Sequence, residues 1–206
     1  VCDGHSDCHD SGDDENMCNT NPHCHLNCTC IGFVVMCTNS TIDNVSKFSA
    51  FLRTLIIFHS TLNFPQAQFN NLKYLIFLKL SHCRILNISS NKFYGLISLR
   101  ELHLSFNMIT VLNKSEFGGL AAMGNLNLSF CRIGSLGKHI FDPENILEIL
   151  DISKNPLQTI DDNAFRHLLR LKQLNLRNTD LIFISQNVFV QLPFHVILNV
   201  SDDILH

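Results

Sequence analysis

Lysine and arginine are absent from the first 46 residues, although seven acids fall there: Asp3, Asp7, Asp10, Asp13, Asp14, Glu15 and Asp43. All 15 basic residues lie in the remainder, and over 206 residues the formal net charge is only -3. A balance so near neutral gives no reason to expect a nucleic-acid binder. No run approaches the ~20 apolar residues that a membrane helix needs, so this stretch of chain is expected to be soluble. The sequence opens at Val1 with neither an initiator Met nor an apolar signal segment, and it reads as a mature or excised piece. The 11 histidines are scattered, and no HExxH or Ser-His-Asp constellation is present, so an enzyme is not expected. With 46% hydrophobic and 16% charged residues, the chain should fold as one or two domains.

Cysteine is concentrated where the basic residues are missing. Seven of nine fall in the first 37 residues: Cys2, Cys8, Cys18, Cys24, Cys28, Cys30 and Cys37. Such density means a disulfide framework in an oxidising compartment or a zinc site in a reducing one, and zinc would recruit His23 and His25. Asn-x-Ser/Thr triplets begin at Asn27, Asn39, Asn44, Asn87, Asn113, Asn127 and Asn199. Seven candidate glycosylation sites favour the oxidising, extracellular alternative.

From residue 52 onward the chain repeats itself. Phe69, Phe93, Phe117, Phe141, Phe165 and Phe189 stand 24 residues apart. In step with them, Leu75, Leu99, Met123, Leu147 and Leu171 open units that continue Leu78/Leu80, Leu102/Leu104, Leu126/Leu128, Leu150/Ile152 and Leu174/Leu176. Cys83, Asn107, Cys131, Asn155 or Thr179 follows three residues later, and then Ile85, Ile109, Ile133, Leu157 or Leu181.

This pattern resembles the leucine-rich repeat. Alternation makes a short strand with one face inward, and the small polar residue satisfies backbone groups where the chain turns. One repeat cannot bury its own apolar face, so the units should stack as an α/β-type repeat solenoid, a curved array with parallel strands on its concave side. A unit of 23 residues from Leu52 precedes five of 24, and a partial one from His195 retains Leu198, Val200 and Leu205. The expected organisation is an acidic module over 1–18, a linker over 19–23, a cap over 24–46 and repeats over 47–206.

Cys24, Cys28, Cys30 and Cys37 form C-x3-C-x-C-x6-C directly before the repeats, which resembles the N-terminal cap of extracellular leucine-rich-repeat proteins. That resemblance implies pairing of Cys24 with Cys30 and of Cys28 with Cys37. Cys83 and Cys131 share a repeat position two units apart, ~9.6 Å by strand spacing and beyond the ~7 Å reach of a disulfide. They are expected to be buried free thiols.

Residues 2–18, CDGHSDCHDSGDDENMC, look like the second half of a low-density-lipoprotein-receptor class A module. The resemblance implies calcium, held by the carboxylates of Asp3, Asp7, Asp14 and Glu15 and the carbonyl of His5, with Cys2 paired to Cys18 and the partner of Cys8 upstream. The spacing from Cys8 to Cys18 is one residue longer than the family's.

A class A module followed by a capped repeat array resembles the ectodomain of relaxin-receptor-type G-protein-coupled receptors and their invertebrate relatives. That resemblance implies a peptide or protein ligand on the concave strands and an activating class A module. It also implies membrane anchorage through a seven-helix domain, G-protein coupling through that domain, and a place outside the plasma membrane. The ligand face is expected at Phe77, Lys79, Glu101, His103, Asn125, Asn127, Ile149, Asp151, Gln173 and Asn175, with Glu148 as a further acid. Relaxin-type receptors use acids there, whereas Glu101, Glu148 and Asp151 are scattered and Lys79 and Lys154 dilute them. Phe106 and Phe130 share one repeat position with His59 and His82, and two arrangements satisfy them: an aromatic ledge for a partner, or inward packing. The competing function is a secreted or singly anchored adhesion or interaction protein.

Overall fold

The computed structural model describes residues 24, 27–43, 45, 48–62, 69–88, 92–114, 116–143 and 146–201. In chain order the strands are β1 (Cys28–Ile31), β2 (Val34–Thr38), β3 (Thr41–Ile42), β4 (Thr54–Phe58), β5 (Thr61–Leu62), β6 (Phe77–Ser81) and β7 (Glu101–His103). They continue as β8 (Asn125–Asn127), β9 (Ser135–Leu136), β10 (Ile149–Asp151), β11 (Thr159–Ile160), β12 (Gln173–Asn175) and β13 (Ile197–Asn199). A short helix, α1 (Asn187–Val190), precedes β13.

Nine strands build one sheet in the order β1-β2-β4-β6-β7-β8-β10-β12-β13. The β1–β2 hairpin is antiparallel and every later neighbour is parallel. Register converts the sequence period into a spatial step: Leu78 lies beside Leu102, Leu102 beside Leu126, Leu126 beside Leu150 and Leu150 beside Leu174. Each of these leucines is fully buried, while its neighbours on either side are at least partly exposed. The parallel-strand solenoid expected from the leucine pattern is therefore the fold.

On the opposite side of the core, Phe69, Phe93, Phe117, Phe141 and Phe165 are buried, and Phe189 packs against them from a partly buried position. Ring centroids lie 6.0 Å apart for Phe69 and Phe93 and 6.3 Å apart for Phe117 and Phe141. Each buried ring contributes roughly 1.5–3 kcal/mol by apolar transfer, so this column holds the side away from the sheet. Gly95, two residues after Phe93, has φ +92, and a Cβ there would come within 2.7 Å of the Asn70 backbone. Two adjacent repeats meet at that glycine.

The polar turn residues do what their position requires. Asn155 donates from Nδ2 to the carbonyls of Leu128 and Ile152 at 2.9 and 2.8 Å, and its Oδ1 accepts the Ile133 N–H at 3.0 Å. Where cysteine replaces Asn the thiol becomes the donor: Cys83 Sγ points to the Ile57 carbonyl at 3.5 Å, and Cys131 Sγ to the Leu104 carbonyl at 3.4 Å. Both are free and buried, and burial pushes each thiol up to about 11.

In the cap, disulfides join Cys24 to Cys30 and Cys28 to Cys37, which leaves no thiolate set there for zinc. The hairpin register places Cys28 directly opposite Cys37. Cys2, Cys18 and the calcium ligands Asp3, His5, Asp7, Asp14 and Glu15 lie outside the described residues, as does Asn44.

Candidate ligand-binding face

The sheet strands from β2 to β12 turn one row of side chains to the core and the other to solvent, because successive Cβ atoms alternate. The outward row is divided by chemistry. Met36 of β2, Ile56 and Phe58 of β4 and Phe77 of β6 make its first part apolar. From β7 onward the row is mainly polar: Glu101, His103, Asn125, Asn127, Asp151, Gln173, Asn175 and Asn199, interrupted by Ile149 and Ile197. The ligand-face residues expected on β6, β7, β8, β10 and β12 all lie in this row. Phe77, Lys79, Glu101, His103, Asn125, Asn127, Asp151, Gln173 and Asn175 are half-buried, and Ile149 is exposed.

The acids of the row are individually engaged. Glu101 Oε2 meets His103 Nε2 at 3.3 Å, and the His103 ring lies 5.0 Å from that of Phe77. Asp151 Oδ1 accepts the Ser153 N–H at 2.9 Å. Asn127 Oδ1 accepts both the N–H and the hydroxyl of Ser129, at 2.9 and 2.7 Å. Glu148 stands one residue before β10, where Lys172 Nζ reaches its Oε2 at 2.6 Å. The face carries no run of neighbouring acids on successive strands.

Along the far edge of this row runs a second feature. The residue four positions after each of Val35, Leu55, Leu78, Leu102, Leu126, Leu150 and Leu174 has positive φ: Asn39, His59, His82, Phe106, Phe130, Lys154 and Asn178, between 49° and 58°. Their N–H groups extend the sheet, since those of His59, His82, Phe106 and Phe130 donate to Ser81, Ser105, Ser129 and Ser153 of the following repeat. The side chains consequently leave the turn in the same direction and stack. Ring centroids are 4.4 Å apart for His59 and His82, 4.3 Å for His82 and Phe106, and 4.2 Å for Phe106 and Phe130, with interplanar angles of 13–22°. Lys154 Nζ covers the Phe130 ring at 5.4 Å from its centroid. Phe106 and Phe130 each remain 42% exposed, so they form a ledge and not part of the core.

A groove lies on each side of the ledge. One, of about 450 Å³, is lined by Asn39, His59, Ser60, Thr61, His82, Arg84, Phe106 and Met108. The other, of about 440 Å³, opens on the sheet face between Met36, Ile56, Phe58, Phe77 and Lys79 and the rings of His59, His82 and Phe106. Partial desolvation, the neighbouring His59 and Lys79 together lower the His82 pKa, in that order of effect.

Residues 70–133 and 145–203 match the family model of the leucine rich repeat, which is more than half of the chain. The protein belongs to the leucine-rich-repeat family. Among solved structures, this leucine-rich-repeat chain is similar to the TLR13-ssRNA13 complex, with 28% identity and a TM-score of 0.73, over 79% of this chain and 23% of that one. It shares its fold with the Toll-Spatzle complex of Drosophila, with 21% identity and a TM-score of 0.65, over 71% of this chain and 19% of that one. The repeat array here thus spans less than a quarter of either relative. No curated protein matches the sequence significantly.

Reading the sequence placed the polar strand residues but passed over Met36, Ile56 and Phe58. Val34–Thr38 alternates as the repeats do, with Val35 and Cys37 inward, and that alternation is the signal that extends the face into the cap. Among the described residues, no three His, Cys, Asp or Glu side chains gather as a metal site.

Proposed function

We propose that this chain is the ligand-reading part of an extracellular receptor, taking a peptide or protein on the exposed sheet face. The observation that carries this reading is the division of one continuous face into an apolar part around Met36, Ile56, Phe58 and Phe77 and a polar part beyond it. Protein interfaces combine such an apolar anchor with a polar surround. The disulfide cap and the repeat family support an extracellular setting. The related solved arrays are complexes, one with an RNA and one with Spatzle, and they support ligand capture by this architecture.

The finer reading is a relaxin-receptor-type G-protein-coupled receptor whose class A module, over 1–18, assists activation. It rests on the order of motifs in the sequence, and its calcium ligands Asp3, His5, Asp7, Asp14 and Glu15 are tested by calcium titration against Asp7→Ala and Glu15→Ala. A secreted or singly anchored interaction protein is the second reading. It is favoured by the engagement of Glu101 with His103 and of Asp151 with Ser153, which leaves no acidic ladder for a basic hormone. Seven apolar helices encoded beyond His206 support the receptor; a lone helix supports the second reading.

Glycan wedges test the shared claim. Met36→Asn creates the triplet Asn-Cys-Thr in the apolar part, and Ile149→Asn with Asp151→Ser creates Asn-Leu-Ser in the polar part. The secreted protein is screened against an array of extracellular proteins, and any partner is then tested against both wedges. Loss of binding with either wedge is expected; full binding with both in place, glycosylation being verified, refutes the sheet face as the site.

A further inference from the structure

The edge ledge is distinct from the sheet face in what it offers. Its four rings are stacked on one another at 4.2–4.4 Å, so most ring faces are already covered. Of the outermost rings, Phe130 has Lys154 over its face, and His59 meets Phe58 in a T-shaped contact with centroids 5.7 Å apart. What remains accessible is a strip of ring edges. Aromatic edges carry the positive end of the ring quadrupole, and imidazole edges add N–H donors. The two grooves beside the strip contribute Lys79 and Arg84, and among the described residues no carboxylate lines either one. The acids elsewhere on the sheet face, Glu101 and Asp151, are held by His103 and by the Ser153 backbone.

We propose that the ledge formed by His59, His82, Phe106 and Phe130 is an anchoring site for an acidic, aromatic-bearing peptide segment, and that its hold tightens on acidification. This deepens the reading of the protein as a ligand-binding repeat array and names the chemistry of its ligand. The ligand's carboxylates lie toward Lys79, Arg84 and the imidazole edges, and its rings turn their negative faces to the edges of Phe106 and Phe130. Base stacking by a single-stranded nucleic acid needs open ring faces, which the ledge does not present.

The pH sense follows from the charges around the two imidazoles. His59 and His82 face each other, and they face the cations Lys79 and Arg84 and the uncharged rings of Phe58 and Phe106. Desolvation, then His59 and Lys79, disfavour a proton on His82 and lower its pKa. A carboxylate placed against the imidazole edges reverses that balance and raises the histidine pKa in the complex. Binding then takes up protons, and affinity rises as the pH falls through the histidine range.

The probe is a fluorescent synthetic peptide of alternating glutamate and tyrosine, read by anisotropy with the whole secreted chain. Affinity is expected to increase about tenfold between about pH 7.5 and about pH 5.5, one histidine pKa unit being tenfold in a binding constant. His59→Phe with His82→Phe should abolish that increase, and Phe106→Asn with Phe130→Asn should weaken binding at both pH values. These replacements suit the left-handed position because Phe106 and Phe130 hold it at φ 58 and 52 and Asn39 and Asn178 at φ 49 and 55, so the variants keep the fold, as circular dichroism should show; asparagine is avoided at residue 59 because it would create the acceptor triplet Asn-Ser-Thr.

Several results would overturn the proposal: no binding of the glutamate-tyrosine peptide, equal binding of a lysine-tyrosine peptide, tighter binding of oligothymidylate, or a pH response that survives in the double histidine variant. The two readings fail separately. Peptide binding lost with the sheet wedges but unaffected by the ledge variants removes the ledge and keeps the sheet face; the reverse pattern keeps the ledge as the site and removes the sheet face.

Discussion

Asn107 completes the turn of the repeat before its own by holding Cys83. Its Oδ1 accepts the backbone N–H of Cys83 at 3.0 Å and that of Ile85 at 3.1 Å, while Nδ2 donates to the carbonyls of Leu80 and Leu104 at 2.7 and 2.8 Å. One side chain thus satisfies four backbone groups across a repeat boundary, and Asn107 itself is only 4% exposed.

Asn107→Ala orphans those groups together, each at about 1–3 kcal/mol, and the expected loss in urea denaturation is at least about 3 kcal/mol. Asn107→Cys should be milder, since Cys131 at the equivalent place donates to the Leu104 carbonyl. Equal losses in the two variants would mean that the hydrogen bonds are not what the position requires.

The two thiols supply a second expectation. Burial holds Cys83 and Cys131 near 11, far from the thiolate form at neutral pH, so iodoacetamide should modify neither until the protein is unfolded. Peptide mapping of unreduced protein should return Cys24–Cys30 and Cys28–Cys37 bridges. A bridge between Cys83 and Cys131 would contradict the register.

Gly95 and Gly119 both adopt positive φ, +92 and +82, but only Gly95 lies against backbone, 2.7 Å from Asn70 Cα at the position a Cβ would take. Gly119→Ala should cost about 1 kcal/mol for its conformation alone. Gly95→Ala should cost clearly more, because the Asn70 backbone must also move. Thermal denaturation of the two variants separates the contributions.

Glu116 is 3% exposed; its Oε1 accepts from Asn113 Nδ2 at 2.7 Å, and Oε2 has no hydrogen-bond partner among the described residues. Desolvation raises its pKa, against the hydrogen bonds from Asn113. Between the unfolded and folded pKa values the native state binds more protons, so stability falls as pH rises through that interval and stays lower above it. Glu116→Gln should therefore stabilise the protein at neutral pH and remove this slope, as measured by urea titrations at several pH values. A destabilised Gln variant at neutral pH would show that the carboxylate is held more favourably than its surroundings indicate.

The parts of the fold that were legible in the sequence are those every repeat must solve alike. Leu102, Leu126 and Leu150 recur because each strand needs a buried centre, and Phe93, Phe117 and Phe141 recur because each unit has the same volume to fill. Cys24 to Cys37 was legible from its spacing. The four residues of the ledge were legible as one repeat position, but the choice between a ledge and inward packing was not, because the direction of the side chains is set by positive φ at His59, His82, Phe106 and Phe130, residue types that do not announce a left-handed backbone. Asn39 and Asn178 alone hinted at it. The apolar part of the face was missed because Met36 belongs to the cap and Ile56 to a unit with the shorter, 23-residue period.

At His59, His82, Phe106 and Phe130 the turn is held by main-chain atoms, each N–H reaching the carbonyl of a serine in the following repeat. Their side chains are thereby released from any duty to the fold. The same backbone site already accommodates asparagine, histidine, phenylalanine and lysine along one edge. Such an edge can diverge rung by rung between related proteins while the architecture beneath stays fixed, and partner choice can change without a new fold having to be found.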